Sequence, residues 1–367
     1  MIAQERDRRV LALVTDAYGG LGGIAAYNRD VFQALADDNR IAETVVIPRV
    51  KTFQPAGMPE RVVQRNEAMA STGAYLATVA AEVRRGGFDL IHCAHANLAP
   101  VAMAAATVAR IPWTMSLYGI EVWKRRSNPL LNAAIGRATL NLPISTVTDV
   151  RFRAAYPSAM GPSVLLPNAL HREQFAPGPR SAALAARYGL GDSPVIMTMS
   201  RLGDDYQLKG FERVIRLLPR VDEAVPDIRY VICGGGPKEA ALQAIAAEVG
   251  VSDRIVFTGY VDESEKAEHY RLADTFVMPS TGEGFGFVFI EAMACGIPVV
   301  GSSRDGGMEA LRDGKLGRAV DPLDADALLN AVVAALATPR HVPAGLEYFD
   351  YLHFGERLNA ALSPLWR

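Results

Sequence analysis

Short apolar runs alternate with longer amphipathic runs along almost the whole chain, and this alternation constrains the fold more than any other feature. Segments such as IAAYNRDVFQALADD and PKEAALQAIAAEVG have apolar residues at helical spacing. The apolar runs between such segments predict strands at 10–16, 44–49, 88–93, 113–119, 142–145 and 163–168, and then at 194–200, 229–235, 254–259, 275–280 and 297–302. Strands that are apolar throughout and alternate with helices favour parallel, doubly wound sheets.

A segment rich in turn-forming residues separates two complete series of strands and helices. Residues 167–183, PNALHREQFAPGPRSAA, contain three prolines and one glycine. A chain of 367 residues is also too long for one typical core. We therefore predict an α/β protein with two Rossmann-like domains, at 1–172 and 180–345, that face each other across a cleft. The last segment, 346–367, is predicted to form a helix that packs back on the first domain.

Composition and charge argue against nucleic-acid binding, secretion and membrane spanning. A formal net charge of -2 gives no overall electrostatic argument for binding nucleic acid, so we expect no nucleic-acid partner. The N-terminal sequence MIAQERDRRVLALVTD predicts a first strand and not a signal peptide, and no apolar run approaches the length of a membrane span. The three cysteines, Cys93, Cys233 and Cys295, lie far apart in apolar segments. They indicate reduced core residues of a cytoplasmic protein, without disulfides or zinc-ligand spacing.

A glycine-rich loop follows the first predicted strand. Gly19, Gly20, Gly22 and Gly23 precede a predicted helix whose free N–H groups could receive an anion. Residues 20–25 also satisfy a loose G-x-G-x-x-A pattern, but a dinucleotide-binding dehydrogenase has its glycines directly after the strand. Here DAYG intervenes, and the second strand ends without the expected acid. A phosphate-binding loop and a turn that packs without a ligand are both open readings of this pattern.

Two cations follow the seventh predicted strand, in SRLGDDYQLKGFERVI. Arg201 comes directly after the strand, and Lys209 precedes Gly210, which opens a helix. Two positive charges beside a helix N-terminus suit a diphosphate, because they offset the charge of a leaving group. A pair of solvated surface charges is the alternative. Asp204 and Asp205 resemble metal ligands, but beside a lysine we expect them to be solvated, and we predict no metal site.

Two glutamates lie eight residues apart in STGEGFGFVFIEAMACG. Residues 285–295 predict a helix that ends at Gly296. Glu291 has apolar neighbours on both sides and is predicted to be buried, and a buried carboxylate needs hydrogen-bond partners. Ribose hydroxyls could supply those partners, and so could a core arginine. Glu283 precedes the helix, where the amides of GFG are free to bond a sugar hydroxyl or a phosphate.

Two histidines lie near the end of a strand in FDLIHCAHANLAP. His92 is within the strand and is predicted to be a hydrogen-bonded core residue. His95 falls just beyond the strand, where ligand-binding residues of α/β sheets are found. No second cluster of metal ligands accompanies them, so they do not predict a metal site.

A basic segment follows the next strand, in YGIEVWKRR. Three arginines earlier in the chain could add to attachment at a membrane surface. These cations could bind anionic lipid or an acceptor phosphate, and a solvated charge run is the alternative. The residues concerned are Lys124, Arg125 and Arg126, together with Arg84, Arg85 and Arg110.

These motifs, in this order, resemble glycosyltransferase family 4, a family of retaining nucleotide-sugar transferases with the GT-B fold. The resemblance covers nearly the whole chain and includes GGLGG, VLLPNALHREQFAP, SRL…LKG, VICGGGP, IVFTGYV and EGFGFVFIEAMACGIPVV. The E-x7-E spacing of the two glutamates is its most specific element. The resemblance implies that residues 1–172, with the segment 346–367, bind the acceptor. It implies that residues 180–345 bind the nucleotide sugar.

The resemblance also implies roles for the two glutamates. Glu291 would bind the ribose of the donor. Glu283 would hold the donor sugar, together with the amides of Gly284, Phe285 and Gly286.

The remaining roles implied by the resemblance concern the diphosphate and the transferred sugar. Arg201 and Lys209 would bind the diphosphate, helped by the amides of Gly22 and Gly23. His95 matches a family histidine that lies near the transferred sugar. No metal or other cofactor is implied.

The nucleotide base would rest largely against backbone, near Gly235 and near Gly259, Tyr260 and Val261. The chain departs from the pattern of the family at two positions. Many relatives have His-Gly where this chain has Tyr118 followed by glycine, so a histidine role there does not transfer. Leu208 replaces a usual aromatic residue, which predicts a local change in packing.

We therefore expect an enzyme that moves a hexose from a UDP or GDP sugar to a hydroxyl of a glycan or lipid-linked acceptor, with retention of configuration. It is expected to be cytoplasmic, with peripheral contact at the inner face of the membrane. A nucleotide-sugar epimerase or hydrolase of the same fold is one alternative. A catalytically silent donor-binding subunit is another. Intact Arg201, Lys209, Glu283 and Glu291 argue against the silent subunit.

Overall fold

The structure is a computed structural model, and it describes residues 7–20, 22–50 and 57–366. The chain forms two compact units. Unit 1 comprises the residues up to Ala169 and those from Tyr351 onward, and unit 2 comprises Leu170–Asp350. The first change of unit falls inside the segment 167–183, in which the sequence interrupts its alternation of strands and helices.

Unit 1 is built on a parallel six-stranded sheet. Its strands are β1 (Arg8–Val14), β2 (Ile41–Pro48), β3 (Val62–Gln64), β4 (Leu90–Cys93), β5 (Trp113–Leu117) and β6 (Leu140–Pro143). Between and after them lie the helices α1 (Gly23–Asp37), α2 (Thr72–Arg85), α3 (Ala99–Ala109), α4 (Pro129–Ile135) and α5 (Thr146–Ala155), with short 3-10 helices at Asn66–Ala70 and Ala96–Leu98. The strand order is β3-β2-β1-β4-β5-β6.

Unit 2 contains a second parallel six-stranded sheet. Its helices are α6 (Ala182–Arg187), α7 (Phe211–Ala224), α8 (Glu239–Val249), α9 (Lys266–Tyr270), α10 (Phe287–Ala294), α11 (Gly307–Ala310) and α12 (Ala325–Leu336). Its strands are β7 (Val195–Met199), β8 (Arg229–Cys233), β9 (Ile255–Gly259), β10 (Thr275–Met278), β11 (Val299–Ser302) and β12 (Arg318–Val320). Short 3-10 helices lie at Tyr206–Lys209, Ser252–Arg254, Glu263–Glu265 and Leu346–Phe349.

Both sheets have the strand order of a Rossmann fold. When the strands of unit 2 are counted from β7, the order β12-β11-β10-β7-β8-β9 repeats the 3-2-1-4-5-6 pattern of unit 1. The direction of strand addition reverses between β1 and β4 in unit 1 and between β7 and β10 in unit 2. Ligands of open parallel sheets bind at the carboxyl ends of the strands beside such a switch point. The topology therefore selects one edge of each sheet as the place to look for a site.

The strands are buried because helices cover both faces of each sheet. In β1 every residue from Val10 to Val14 is fully buried, as expected of a central parallel strand. The same holds for β7, in which Val195–Met199 is buried throughout. These continuous apolar strands account for the predicted α/β class and doubly wound sheets, which the structure confirms.

The C-terminal helix α13 (Tyr351–Leu362) packs on helix α1 of unit 1, as predicted. The rings of Phe354 and Tyr27 meet edge to face, with their centroids 5.6 Å apart. The hydroxyl of Tyr351 donates to Asp37 Oδ2 at 2.7 Å. The segment predicted as one helix from residue 346 is, however, divided, because Leu346–Phe349 forms a 3-10 helix that belongs to unit 2. A last short 3-10 helix, Ser363–Leu365, follows α13.

One predicted strand is wrong, and two strands were missed. Residues 163–168 form only an isolated bridge from Ser163 to Asn141, and prolines at both ends of this segment remove backbone donors. The missed strands are β3 and β12, which lie at the edges of their sheets and have three residues each. Such short edge strands lack the long apolar run from which the other strands were predicted.

Candidate functional site

The carboxyl ends of β7 and β10, which flank the switch point of unit 2, bring a cation and an anion into contact. The Nζ atom of Lys209 lies 2.7 Å from Oε2 of Glu283. Their side chains are 15% and 17% exposed, so both are largely buried but still reach the surface. Two of the residues that sequence motifs assigned to one ligand are therefore neighbours, although they lie 74 positions apart in the chain.

Lys209 is positioned by a tight turn at the end of its 3-10 helix. Gly210 has φ 84°, and a Cβ at this position would lie 2.4 Å from the carbonyl oxygen of Pro279. Only glycine fits such a conformation at this distance. Leu208 packs over Gly282, where an added Cβ would lie 2.8 Å from Leu208 Cδ1. Leu208 is thus a packing residue of this loop.

Electrostatics keep Lys209 charged at neutral pH. Burial alone would lower the pKa of the Lys209 ammonium, but the nearby charge of Glu283 and its hydrogen bond outweigh burial, and the pKa is raised. The other carboxylate oxygen of Glu283 accepts from the N–H of Gly284 at 3.1 Å and of Phe285 at 3.5 Å. Glu283 therefore lies between a cation and two backbone donors.

Helix α10 carries Glu291 into the core of unit 2. Glu291 is 8% exposed, and its Oε2 accepts from the hydroxyl of Tyr270 at 2.6 Å. The Nζ of Lys266 lies 3.9 Å from Oε1. Burial raises the pKa of the Glu291 carboxyl, whereas the charge of Lys266 lowers it. Burial of this residue was predicted correctly. Its partners are a tyrosine and a lysine and not the core arginine considered as the alternative.

Arg201 follows β7 directly, and its backbone is anchored on both sides. The N–H of Ser200 donates to the carbonyl of Cys233 at 2.9 Å, and the N–H of Leu202 donates to the carbonyl of Gly235 at 3.1 Å. The Arg201 side chain is exposed, and it makes no hydrogen bond or ion pair within the described part of the chain. An anchored backbone with an uncommitted guanidinium suits an anion ligand.

Backbone atoms dominate the carboxyl ends of β8 and β9. Gly235 lies so close to the next turn that an added Cβ would be 3.2 Å from the Tyr260 nitrogen. Gly259 has φ 69°, which favours glycine. The Tyr260 ring is 64% exposed, whereas Val261 is buried. This surface of backbone groups with one exposed ring is where the family resemblance implies that the nucleotide base would rest.

The equivalent edge of unit 1 begins with the glycine loop after β1. Gly22, with φ 88°, is the N-cap of α1, and no side chain caps the helix. No acidic residue lies in its first turn, and Gly22 and Gly23 are exposed. The first amides of α1 are thus open to an anion. Leu21, inside the GGLGG motif, lies outside the described residues.

The two histidines of unit 1 have different environments. His92 is buried in β4, hydrogen-bonds Thr114 at 2.9 Å, and burial lowers its pKa to about 4, so the prediction of a core histidine is confirmed. His95 lies just past β4, and its Nδ1 accepts from the N–H of Asn97 at 3.1 Å. Burial, and then the charge of Arg126, lower the pKa of His95. Its imidazole is therefore neutral at pH 7, with the proton on Nε2.

Sequence reasoning missed Glu121 as a residue of this edge. Its Oε1 accepts from the N–H of Tyr118 at 2.6 Å and of Gly119 at 3.1 Å, which shapes the turn after β5. The Tyr118 hydroxyl donates to Asn28 Oδ1 at 2.8 Å, and its ring centroid is 6.5 Å from that of His95. The signal available in the sequence was an acid four residues past a strand end.

The basic residues considered for membrane contact do not form one patch. Lys124–Arg126 follows the carboxyl end of β5, whereas Arg84, Arg85 and Arg110 end the helices that lead into the amino ends of β4 and β5. All six are exposed. None of the helices in the described part of the chain is long and apolar enough to cross a membrane.

Asp204 and Asp205 do not form a metal-binding cluster. Asp204 is almost fully exposed and pairs with Lys238 at 3.2 Å. In residues 7–20, 22–50 and 57–366, no three His, Cys, Asp or Glu side chains are grouped as metal ligands would be. The three cysteines are free and buried, as predicted.

Comparison with known proteins places the chain in a family. The model of the family described as "Glycosyl transferases group 1" matches residues 184–343. The GDP-mannose-dependent alpha-(1-6)-phosphatidylinositol monomannoside mannosyltransferase of Mycolicibacterium smegmatis is 36% identical over 311 residues, which cover 78% of this chain and 80% of that protein. The chain belongs to the group 1 glycosyl transferases.

Other relatives agree with membership of the group 1 glycosyl transferases. The protein of the same name from Mycobacterium tuberculosis is 31% identical over 352 residues, 89% of each chain. Among solved structures, Anabaena HepE in complex with UDP and glucose superposes with a TM-score of 0.74 at 21% identity, covering 97% of this chain and all of HepE. The expected glycosyltransferase activity and GT-B fold are confirmed, and these relatives favour transfer over the epimerase, hydrolase and silent-subunit alternatives.

Proposed function

We propose that this protein is a retaining mannosyltransferase that uses GDP-mannose as donor and an inositol-containing phospholipid, or its mannosylated form, as acceptor. The site observation that carries the proposal is the pair formed by Lys209 and Glu283 at the switch point of unit 2. The cation suits a diphosphate, and the carboxylate suits the hydroxyls of the sugar attached to it. Base, sugar and acceptor are those in the names of the two mycobacterial relatives.

In this proposal the charged edge of unit 2 binds the donor. Lys209 and Arg201 bind the diphosphate, and Glu291 accepts from the ribose hydroxyls with the oxygen capacity that Tyr270 and Lys266 leave unused. Glu283 binds the mannosyl hydroxyls, together with the amides of Gly284, Phe285 and Gly286. The base rests on the backbone of Gly235 and residues 259–261, with the exposed Tyr260 ring able to stack on it.

Transfer then depends on stabilising the leaving group. As the bond from the anomeric carbon to the diphosphate breaks, negative charge grows on the departing oxygens, and fixed cations stabilise this charge more than that of the intact donor. Arg201 and Lys209 supply these cations. The acceptor hydroxyl attacks the face that the diphosphate leaves, and its proton passes to a diphosphate oxygen. Retention follows from attack on the same face, without a protein nucleophile.

Unit 1 provides neutral groups in this proposal. The Nε2–H group of the neutral His95 imidazole donates a hydrogen bond to a sugar hydroxyl. The open amides of α1 at Gly22 and Gly23 bind an anionic oxygen. The acceptor is assigned to this unit by the family resemblance.

Donor choice is tested by thermal stabilisation of the purified protein with GDP, UDP and ADP sugars in the presence of EDTA. A ligand that binds only the folded state must raise the melting temperature. We expect the largest shift with GDP-mannose. A larger shift with UDP-glucose would replace GDP by UDP in the proposal. No shift with any donor would refute the assignment of the donor site.

Acceptor choice is tested with radiolabelled GDP-mannose and vesicles that contain phosphatidylinositol, its monomannoside, or phosphatidylcholine only. We expect labelled lipid with an inositol-containing acceptor and none with phosphatidylcholine alone. Release of free mannose without labelled lipid would indicate a hydrolase.

We also propose that Lys124–Arg126 touches an anionic membrane surface. Ile120 and Leu130 flank this segment and are 53% and 77% exposed, so cations and apolar side chains are presented together. Replacing Lys124 and Arg125 by Glu should abolish flotation with anionic vesicles. The matched control replaces Arg84 and Arg110, at the other end of the strands, and should still float. Wild-type protein that stays in the soluble fraction would refute the contact.

A further inference from the structure

A second carboxylate lies behind Glu283, in the loop after β11. Asp305 is fully buried, and none of the sequence motifs assigns it a role. Its Oδ2 accepts from the backbone N–H of Glu283 at 2.9 Å, and its Oδ1 accepts from the backbone N–H of Gly307 at 3.0 Å. One side chain thus joins the loop after β10 to the loop after β11.

The neighbouring backbone completes the connection. The N–H of Gly306 donates to the carbonyl of Glu283 at 2.8 Å. Both backbone polar groups of Glu283 are therefore held by consecutive residues of the other loop. A Cβ at Gly306 would lie 1.8 Å from the carbonyl oxygen of Gly284, so the two loops are in direct contact and residue 306 must be glycine. This contact leaves the backbone of residue 283 little freedom.

Burial of a carboxylate between two loops costs free energy, because the charged group loses its contact with water. Burial raises the pKa of Asp305, and hydrogen bonds to the amides of Glu283 and Gly307 act in the opposite direction. A buried charge needs partners, and the carboxylate of Asp305 has two backbone amides and the charge of Lys209, whose pKa Asp305 helps to raise. Its two amide bonds are directed at Glu283 and at the start of α11. These hydrogen bonds therefore fix the conformation of the loop that carries Glu283.

We infer that Asp305 is a positioning residue for sugar recognition, holding the loop of Glu283 so that the Glu283 carboxylate meets the hydroxyls of the donor sugar. This inference rests on the proposed role of Glu283 in the donor site. Asp305 itself touches no substrate. A misplacement of a binding group by about 1 Å is enough to lower a rate about a hundredfold, so loss of this contact should be visible in catalysis.

Asp305→Asn is the informative variant because it keeps the shape of the side chain. Both oxygens of Asp305 accept hydrogen bonds, whereas an asparagine has one acceptor and would turn its NH2 group toward a backbone N–H. Removal of a hydrogen bond to a charged group corresponds to roughly ten- to a hundredfold. We expect kcat for transfer to fall in this range, with the affinity for GDP unchanged within about twofold.

Binding without an acceptor separates positioning from general destabilisation. Calorimetry gives the affinities for GDP and GDP-mannose, and their ratio reports the contact with the sugar. The Glu283→Ala variant gives the ratio of the two affinities for a site in which the carboxylate contact with the sugar is absent. We expect Asp305→Asn to move the wild-type ratio toward the Glu283→Ala value.

Asp274→Asn is the matched control. Asp274 Oδ2 accepts from the N–H of Val195 at 2.9 Å, and its Oδ1 lies 3.1 Å from Arg340. It also ties loops of unit 2 together, but at the amino ends of β7 and β10. This control should lower the melting temperature and leave the affinity ratio at its wild-type value.

Three results would overturn the inference. The first is a wild-type kcat and affinity ratio in Asp305→Asn. The second is an equal loss of affinity for GDP and GDP-mannose, which indicates a structural role only. The third is a wild-type protein that binds neither ligand, which refutes the proposed donor as well and is recognised by the wild-type measurement alone.

Discussion

The two sheets have the same strand order, but the side chains at the carboxyl ends of their strands differ in charge. In unit 2 this edge carries the ion pair of Lys209 and Glu283, and Arg201 follows the end of β7. In unit 1 it carries the neutral His95 and the Tyr118 hydroxyl, and the nearest cations belong to the exposed segment Lys124–Arg126 after β5. The shared topology determines where a ligand can bind, and the side chains at strand ends determine which ligand is bound.

The acids of the two edges show the difference most clearly. In unit 1, Glu121 is committed to the backbone amides of Tyr118 and Gly119. In unit 2, Glu283 lies against a lysine and two amides at the surface, where a ligand can replace part of this contact. The acid of unit 2 is therefore available to a ligand, whereas the acid of unit 1 serves its own turn.

The strongest test of this comparison removes the cation of unit 2. Lys209→Ala should lower the transfer rate by about a hundred- to a thousandfold, the usual effect of removing one group that stabilises transition-state charge. The measurement is the initial rate of mannose transfer, with circular dichroism to show that the fold is intact. Lys315→Ala, at an exposed lysine of the same unit, is the control and should keep the wild-type rate. A near-normal rate in Lys209→Ala would contradict the diphosphate assignment.

The second test addresses the buried carboxylate of unit 2. Glu291→Ala should weaken GDP binding by about ten- to a hundredfold, because it removes hydrogen bonds from ribose to a charged acceptor. Tyr270→Phe removes only the hydroxyl that orients Glu291 Oε2 and should weaken binding less. Calorimetric titration with GDP distinguishes the two variants. Unchanged affinity in Glu291→Ala would rule out the ribose role.

The third test applies to His95 of unit 1, whose replacement should act on transfer and not on nucleotide affinity. His95→Asn should lower kcat by up to about tenfold, the effect of one hydrogen bond between neutral groups, and leave GDP affinity unchanged. Because burial lowers the pKa of His95 below its usual 6.5, its neutral form persists as the pH falls from 7.5 to 6.5. The wild-type rate should therefore lose less than half of its value from this group across that range. A loss of GDP affinity in His95→Asn would erase the distinction between the two edges.

The smallest expected effect is a gain in affinity. Glu283→Gln should bind GDP up to about fivefold more tightly, since it removes an anion that competes with phosphate for Lys209, and a partly exposed ion pair is worth about 0.2–1 kcal/mol. Transfer should fall in the same variant because sugar contact is weakened. Weaker GDP binding would show that Glu283 helps to hold the diphosphate and does not compete with it.

Much of unit 2 could be predicted from the sequence because its signals are local. Strand β7 was predicted from its own apolar run, and the start of a helix after Lys209 was predicted from Gly210. The burial of Glu291 followed from the apolar residues around it in α10. The partners of Glu291 did not follow, since Tyr270 and Lys266 lie on α9, and only packing brings α9 against α10. The edge strands β3 and β12 were missed for a similar reason, because their pairing with a neighbour defines them.

By itself, the sequence determined the α/β class, the position of the break between the two series of strands, and the residue types at the strand ends. These properties depend on periodicity and turn chemistry, which act over a few residues. Only the tertiary structure decided that Lys209 meets Glu283, that Asp305 holds the backbone of Glu283, and that Glu121 is committed to its own turn. A hydrogen bond or ion pair forms within about 3 Å, and loops distant in sequence come that close only after the sheet has set their positions.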